Sequence, residues 1–282
     1  MNINKLLFKT ARLYPDEWYV KTIFKHFLGY ELDLNNPVTF NEKINWLKLY
    51  DHNPLYTMLA DKYEVKKYVA SLIGNEHVVP NIGVWQTAGE IDFSSLPKQF
   101  VLKATHDSGG ICICRDKNEF DVEAAKKKLS KSLRTNCYYH EREWVYKDIP
   151  PRIIADKFLD DHSGHELQDY KFWCFNGVPR IMYCTNKAGS IYENFYDMDF
   201  NPLPISRGFM VMADLEKPSG FSKMKEFATM LSKDIPFVRV DFFEVDEIVY
   251  FGEYTFYDWG GLKRFSDFEW DKKLGSYITL PR

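Results

Sequence analysis

The pattern of apolar and polar positions changes near Val78. Before it, apolar residues recur at helical spacing. Thr39 and Glu42 stand three apart just ahead of Ile44, Leu47 and Tyr50, which predicts a helix opened by a capping box. Asp61 and Glu64 repeat that signal ahead of a helix with Val65, Val69 and Leu72 inward, and Gly74 fits its stop. After Val78, short β-like runs follow: Gln99–Ala104, Ile111–Cys114, Arg152–Leu159, Tyr170–Phe175 and Val178–Cys184. Asn176-Gly177 between the last two predicts a tight hairpin. One amphipathic helix interrupts the runs with Val122, Ala125, Leu129 and Leu133 on one face. A second carries Met224, Phe227, Met230 and Leu231, with Ser222 as its cap. Two more strands, Phe237–Val245 and Val249–Tyr254, close the order. It predicts a mixed α+β fold built mostly from antiparallel hairpins, not βαβ alternation.

Composition narrows the classes. A chain of 282 residues can bury a large core as one composite domain or two to three subdomains. Aromatics make up 17% (22 Phe, 18 Tyr, 7 Trp), enough for a Phe-rich core and for stacking surfaces as well. Trp18, Trp46, Trp85, Tyr138, Tyr139 and Trp144 suit a sugar-binding surface. The net charge of −3 argues against a nucleic-acid partner or a polybasic membrane anchor. No apolar run approaches the length of a membrane span. The opening segment, with Lys5, Lys9 and Arg12, does not read as a signal peptide. The five cysteines, Cys112, Cys114, Cys137, Cys174 and Cys184, lack paired zinc spacing and read as buried free thiols, which points to the cytoplasm.

Two clusters carry candidate chemistry. Lys103 lies on a strand out of phase with Phe100 and Leu102, and Thr105-His106-Asp107-Ser108-Gly109-Gly110 follows. Glycines let backbone N–H groups approach phosphate oxygens, and the lysine adds a point charge. The spacing is not that of a P-loop; the alternative is a plain hairpin turn. In the second cluster, Arg239 and Asp241 face one side of a strand otherwise made of Val238, Val240 and Phe242, with Glu253 on the next run. Two carboxylates on adjacent strands can hold Mg²⁺ while it binds phosphate, and Arg239 could stabilise developing charge. The alternative is a salt-bridge ladder. A two-residue turn at Asp246-Glu247 would send Glu253 to the face opposite Asp241. An odd loop, Asp246 to Ile248, is therefore predicted. Asp197-Met198-Asp199 matches a DxD metal spacing but has no nucleotide-sugar context. His162 and His165 read as solvated residues of a loop tip.

Taken in order, ADKYEVKKYV, QFVLKATHDSGG, PRIIADKFL, DYKFWCFNGVPRIM, VRVDFF and FGEYTFYDWGG resemble the TupA-like ATP-grasp family from about Asn36 to Phe265. The resemblance implies two α+β subdomains clasping ATP: residues 1–60 a helical N-terminal region, 61–159 a subdomain with a glycine-rich flap, and 160–282 a subdomain with a magnesium site. It places Lys62, after Asp61, and Lys103 on the ATP phosphates. His106, Ser108, Gly109 and Gly110 become the flap, and His106 joins Arg239 and Lys103 among the catalytic groups. Asp156, Lys157 and Leu159 become the adenine hinge, with the backbone of Lys157 and Leu159 on the base. Asp169 and Lys171 are the charged pair after the hinge, and Asp241 and Glu253 are magnesium ligands. Two positions depart from the family pattern. Thr255 stands where many members have Asn, so a second metal would lean on water or another group such as Asp258. Asp156 stands where Glu is frequent.

The resemblance implies an ATP- and Mg²⁺-dependent ligase that activates a carboxylate as an acyl phosphate and joins it to an amine. The acid would be a uronic-acid sugar or peptide bound for capsule or cell wall, and the amine an amino acid. Rival readings are a surface-polysaccharide glycosyltransferase using Asp197 and Asp199, a sugar kinase on the same fold, and a domain that only binds ATP.

Overall fold

The computed structural model describes residues 11–162, 167–186, 192–211 and 215–281. His165, Ser163-Gly164, Lys5 and Lys9 lie outside the described residues. Helix α1, Asp16–Leu28, stops at Gly29, whose φ of 81° is the left-handed conformation glycine adopts freely. Helix α2, Phe40–Tyr50, opens with the predicted capping box. The Thr39 hydroxyl accepts from Glu42 N at 3.1 Å, and the Glu42 carboxylate accepts from Thr39 N at 2.9 Å. Phe40, Ile44 and Leu47 turn into the core, while Tyr50 stays largely exposed. Helices α3, Pro54–Ala60, and α4, Glu64–Ile73, follow. The box expected at Asp61 and Glu64 is only half made. Asp61 Oδ1 accepts from Tyr63 N at 2.8 Å, but Glu64 turns to Arg152 at 2.8 Å. Ile73, not Leu72, is the fully buried residue of its last turn.

Two antiparallel sheets carry the rest. The smaller runs β1-β4-β2-β3, from β1, Asn81–Trp85, β2, Phe100–Ala104, β3, Ile111–Cys114, and β4, Ile153–Lys157. Its apolar face packs under helix α5, Val122–Ser132, with Phe100, Leu102, Leu129 and Ile153 fully buried. A short helix α6, Tyr138–Glu141, follows α5. The larger sheet runs β10-β9-β5-β6-β7-β8. Its strands are β5, Asp169–Phe175, β6, Val178–Asn186, β7, Tyr192–Tyr196, β8, Pro202–Leu203, β9, Phe237–Val245, and β10, Ile248–Thr255. The β5–β6 hairpin turns at Asn176 and Gly177, both with positive φ, as predicted. Strands β1, β7 and β8 add to the predicted set. Exposed β1 residues, and Glu193 and Asn194 inside β7, weaken the apolar signal there.

The main core joins the larger sheet to α2, α3, α4 and helix α7, Phe221–Leu231. Trp173 sits in it, stacked on Phe40 with ring centres 5.2 Å apart. Two expectations for α7 fail. Ser222 lies inside the helix and is exposed; Gly220 precedes the helix, and its N–H donates to Glu244 at 2.9 Å. Ala228 is buried where Met230 was expected. Helix α8, Phe268–Ser276, ends the described fold and packs on α2.

Thr39→Ala removes the side-chain half of the α2 capping box and should cost about 1 kcal/mol in a urea titration; an unchanged midpoint would count against the cap.

Candidate functional site

The two sheets face each other across a cleft of about 590 Å³, within the roughly 300–1,000 Å³ of small-molecule sites. From the smaller sheet come Lys103, Asp156 and the segment Lys157 to Asp161; from the larger come Asp169, Lys171, Asp241 and Glu253. The turn ahead of helix α4 adds Lys62, and the helix itself Lys66.

Local sequence explains each placement. Lys103 alternates with buried Leu102 and Ala104 on β2, so it points off the apolar face. The larger sheet meets the cleft through β9 and β10, and their register is decisive. The turn at Asp246-Glu247 has two residues, both with φ above 50°. The predicted odd loop is therefore wrong. Asp241 nonetheless pairs with Glu253, because a β-bulge shifts the register between Phe251 and Glu253. Gly252 is the extra residue, where a Cβ would lie 3.0 Å from the Phe243 ring and 3.1 Å from Asp241 O.

The charges form a chain of alternating sign. Arg239 grips Asp241 with two nitrogens, both at 2.7 Å, and reaches Glu253 at 3.3 Å. Asp241 also takes Lys171 at 2.8 Å, and Lys171 takes Asp169 at 3.2 Å. Glu253 meets Lys62 at 3.5 Å. On the other wall, Asp156 bridges Lys66 at 3.0 Å and Lys103 at 3.2 Å. Burial alone would lower the Lys171 ammonium, but Asp241 and Asp169 hold it well above its usual range. Burial alone would raise Glu253; Lys62, Arg239 and Lys171 instead draw it down to about 2.

The glycine loop is tied to the same wall. Lys62 N donates to Thr105 O at 3.1 Å, and Lys62 Nζ to Asp107 O at 3.0 Å. The N–H groups of Gly109 and Gly110 do not stand open for an anion. They donate to Asp107 Oδ1, at 3.1 and 2.7 Å. Gly110 has no room for a side chain, since a Cβ would sit 2.8 Å from that of Ala104. Ser108 is exposed at the tip and off the cleft wall.

His106 departs from its expected place among the catalytic groups. It is 2% exposed, and its Nε2 lies on the carbonyls of Ser132 and Thr135 at 3.2 and 3.0 Å, so it fastens the loop to the end of α5. At the hinge, the Lys157 N–H already donates to Pro80 O at 2.9 Å, which removes that donor from a base edge; Leu159 lines the cleft. Asp156 acts through its carboxylate as counter-ion to two lysines. Thr255 pairs with Arg239 in register, two residues from Glu253 on the same strand. Asp258 is not available as a metal ligand: Arg239 and Tyr183 share its Oδ1 at 2.7 and 2.8 Å, and Arg207 holds its Oδ2.

Lys66, Arg115 and Lys128 line the cleft without having been expected there. For Lys66 the available signal was its place in the first turn of α4, four residues after Lys62. Asp197 forms a turn instead, its Oδ1 accepting from the N–H groups of Asp199 and Asn201 at 2.9 and 2.8 Å, away from the cleft wall. His162 is an exposed loop residue.

Facing antiparallel sheets, one presenting lysines to the cleft and the other an arginine with paired carboxylates, are the arrangement of an ATP-grasp protein. The family comparison agrees, with the TupA-like ATPgrasp model matching residues 42–279. The chain belongs to the TupA-like ATP-grasp family. No curated protein matches it. Among solved structures, it is 14% identical to a D-alanine–D-alanine ligase from Bacillus anthracis complexed with ATP, at TM-score 0.44, covering 70% of this chain and 55% of that one. A D-alanine–D-alanine ligase from Helicobacter pylori gives 14% identity and TM-score 0.41, covering 85% and 69%. D-cycloserine synthetase DcsG gives 14% and 0.40, covering 72% and 64%. The chain thus spans just over half the length of the first of these ligases.

Asp258 yields a pH prediction. Burial alone would raise its carboxyl, but Arg207 and Arg239 hold it near 2, below the ordinary 3.8. A depressed carboxylate stabilises the fold above its unfolded value, and that stability fades as pH falls from about 4 through about 2. Asp258→Asn should therefore flatten the fall in melting temperature between pH 4 and 2, approximately the window set by those two values. A variant that keeps the full acid slope would contradict the pairing.

Proposed function

We propose that the protein is an ATP- and Mg²⁺-dependent carboxylate–amine ligase that attaches an amino acid to a uronic-acid sugar during capsule or cell-wall polysaccharide synthesis. The observation that carries the reading is the convergence of Lys62, Lys66 and Lys103 with the Asp241–Glu253 pair on one cleft. Apolar side chains there, among them Ile111, Ile113, Leu159 and Phe243, suit a planar base.

The donor set fits magnesium. Two carboxylates face each other across β9 and β10, with the Thr255 hydroxyl residue two positions on. Among the described residues no group of three or more His, Cys, Asp or Glu forms a protein-only metal cage. That suits an ion that completes its shell with phosphate oxygens and water. Magnesium held by Asp241 and Glu253 would neutralise charge on the ATP phosphates.

In the proposed reaction a substrate carboxylate oxygen attacks the γ-phosphorus, and the bond to ADP breaks. Lys62, Lys103 and Arg239 neutralise the phosphoryl oxygens during that transfer. The amine then attacks the acyl carbon of the acyl phosphate, loses a proton, and phosphate leaves with the bonding electrons. The five free cysteines agree with a reducing compartment such as the cytoplasm.

Three measurements bear on this. Mg-ATP at about 100 times its dissociation constant should stabilise by about 2.7 kcal/mol, seen as a higher melting temperature; a shift with a Mg-UDP-sugar alone would move the function to glycosyl transfer. Asp241→Asn should abolish ATP turnover with the fold intact, and an active variant sinks the magnesium assignment. Lys103→Ala should weaken ATP binding by about tenfold, as expected for one charge-assisted hydrogen bond, whereas Asp199→Ala should bind ATP as before.

A further inference from the structure

Off the cleft wall lies a second set of charges. Arg239 Nη1 donates to Asp258 Oδ1 at 2.7 Å. The other oxygen of Asp258 accepts from Arg207, whose Nε and second Nη fork onto Glu193 at 3.0 and 2.5 Å. Glu193, Arg207 and Asp258 are all below 5% exposed, and none lines the cleft. Rings of Trp173, Tyr183 and Phe195 enclose the Arg207 guanidinium, with centres 5.0–5.4 Å away.

Stability alone does not explain this arrangement. Buried ion pairs contribute little over apolar residues of equal volume, because desolvation offsets their attraction. The backbone bears a cost too. Asp258 is followed by Trp259, Gly260 and Gly261 with φ of 50°, 61° and 64°, and a tryptophan in that region is strained. Lys48 Nζ and Asn45 Nδ2 clamp the turn through the Gly260 and Gly261 carbonyls, at 2.6 and 2.8 Å. What the turn fixes is the aspartate that holds Arg239.

We propose that Glu193, Arg207 and Asp258 form a positioning relay that keeps the Arg239 guanidinium in place when Asp241 turns to magnesium. The inference rests on the ATP-dependent reading above. Asp241 has two oxygens, and Arg239 occupies both while Lys171 shares one. A metal on Asp241 must loosen that grip. Asp258 lies on another nitrogen of the same guanidinium and is fixed from behind by Arg207, so the arginine keeps its place beside the cleft-lining Asp241 and Glu253. Glu193 keeps Arg207 charge-balanced and in one rotamer.

The test uses binding alone, with the intact chain. Affinity for Mg-ADP reports the ground state; the gain on adding aluminium fluoride reports groups aimed at the transferring phosphoryl. The variants are Arg207→Met combined with Glu193→Gln, which removes one charge of each sign, and Glu193→Gln alone, which weakens the fork on Arg207 without touching Arg239. Both should bind Mg-ADP within about threefold of the unaltered protein, and the double variant should lose about tenfold or more of the fluoride gain. A smaller loss in Glu193→Gln alone supports the relay even where the double variant does not fold. A packing role alone would lower the melting temperature without separating the two affinities. If the folded variants keep the full gain while the unaltered protein shows one, the relay is wrong and the ATP reading stands. If the unaltered protein does not bind Mg-ADP, the ATP reading fails and takes the relay with it.

Discussion

A guanidinium with only 11% of its side chain exposed needs carboxylates to hold it, and Arg239 is held by three: Asp241, Glu253 and Asp258. Much of the larger sheet's arrangement follows from that need. Asp241 lies on the arginine's own strand, two residues away and on the same face. Glu253 reaches that face only because a bulge at Gly252 corrects the register. Asp258 reaches it from a turn of three left-handed residues.

The same logic reaches the cleft. Each carboxylate that satisfies Arg239 also faces a second cation: Lys171 for Asp241, Lys62 for Glu253, Arg207 for Asp258. On the opposite wall Asp156 holds Lys66 and Lys103 apart from the apolar face of β2. Lysines poised this way keep their donors directed into the space between the sheets. A polyphosphate entering that space would exchange protein carboxylates for its own oxygens at little cost in reorganisation. The Phe40–Trp173 stack and the aromatic packing around it supply the rigid platform beneath.

Local signals were legible in the sequence and long-range ones were not. The Thr39–Glu42 box, the Asn176-Gly177 hairpin and the alternation around Arg239 and Asp241 all lie within a few residues, where spacing dictates geometry. The facing of Asp241 and Glu253 was anticipated, but for the wrong reason. Parity of a turn is a local rule, whereas a bulge depends on what a glycine can tolerate against Phe243. His106 looked like a flap residue because it precedes the glycines; its burial against Ser132 and Thr135 depends on a helix that begins sixteen residues later. The Glu193–Arg207–Asp258 relay joins residues 14 and 51 positions apart, a separation that no motif spans.

A magnesium nucleotide bound between the two sheets would shield the amides around it, and amide hydrogen exchange with and without Mg-ATP tests that placement. Slowed exchange in the Lys62–Lys66 turn, the Lys103–Gly110 loop, the segment after Lys157 and the Gly252 bulge is the predicted result. Protection confined to the Asp197–Asn201 turn, or none in any of those four segments at saturating Mg-ATP, would contradict it.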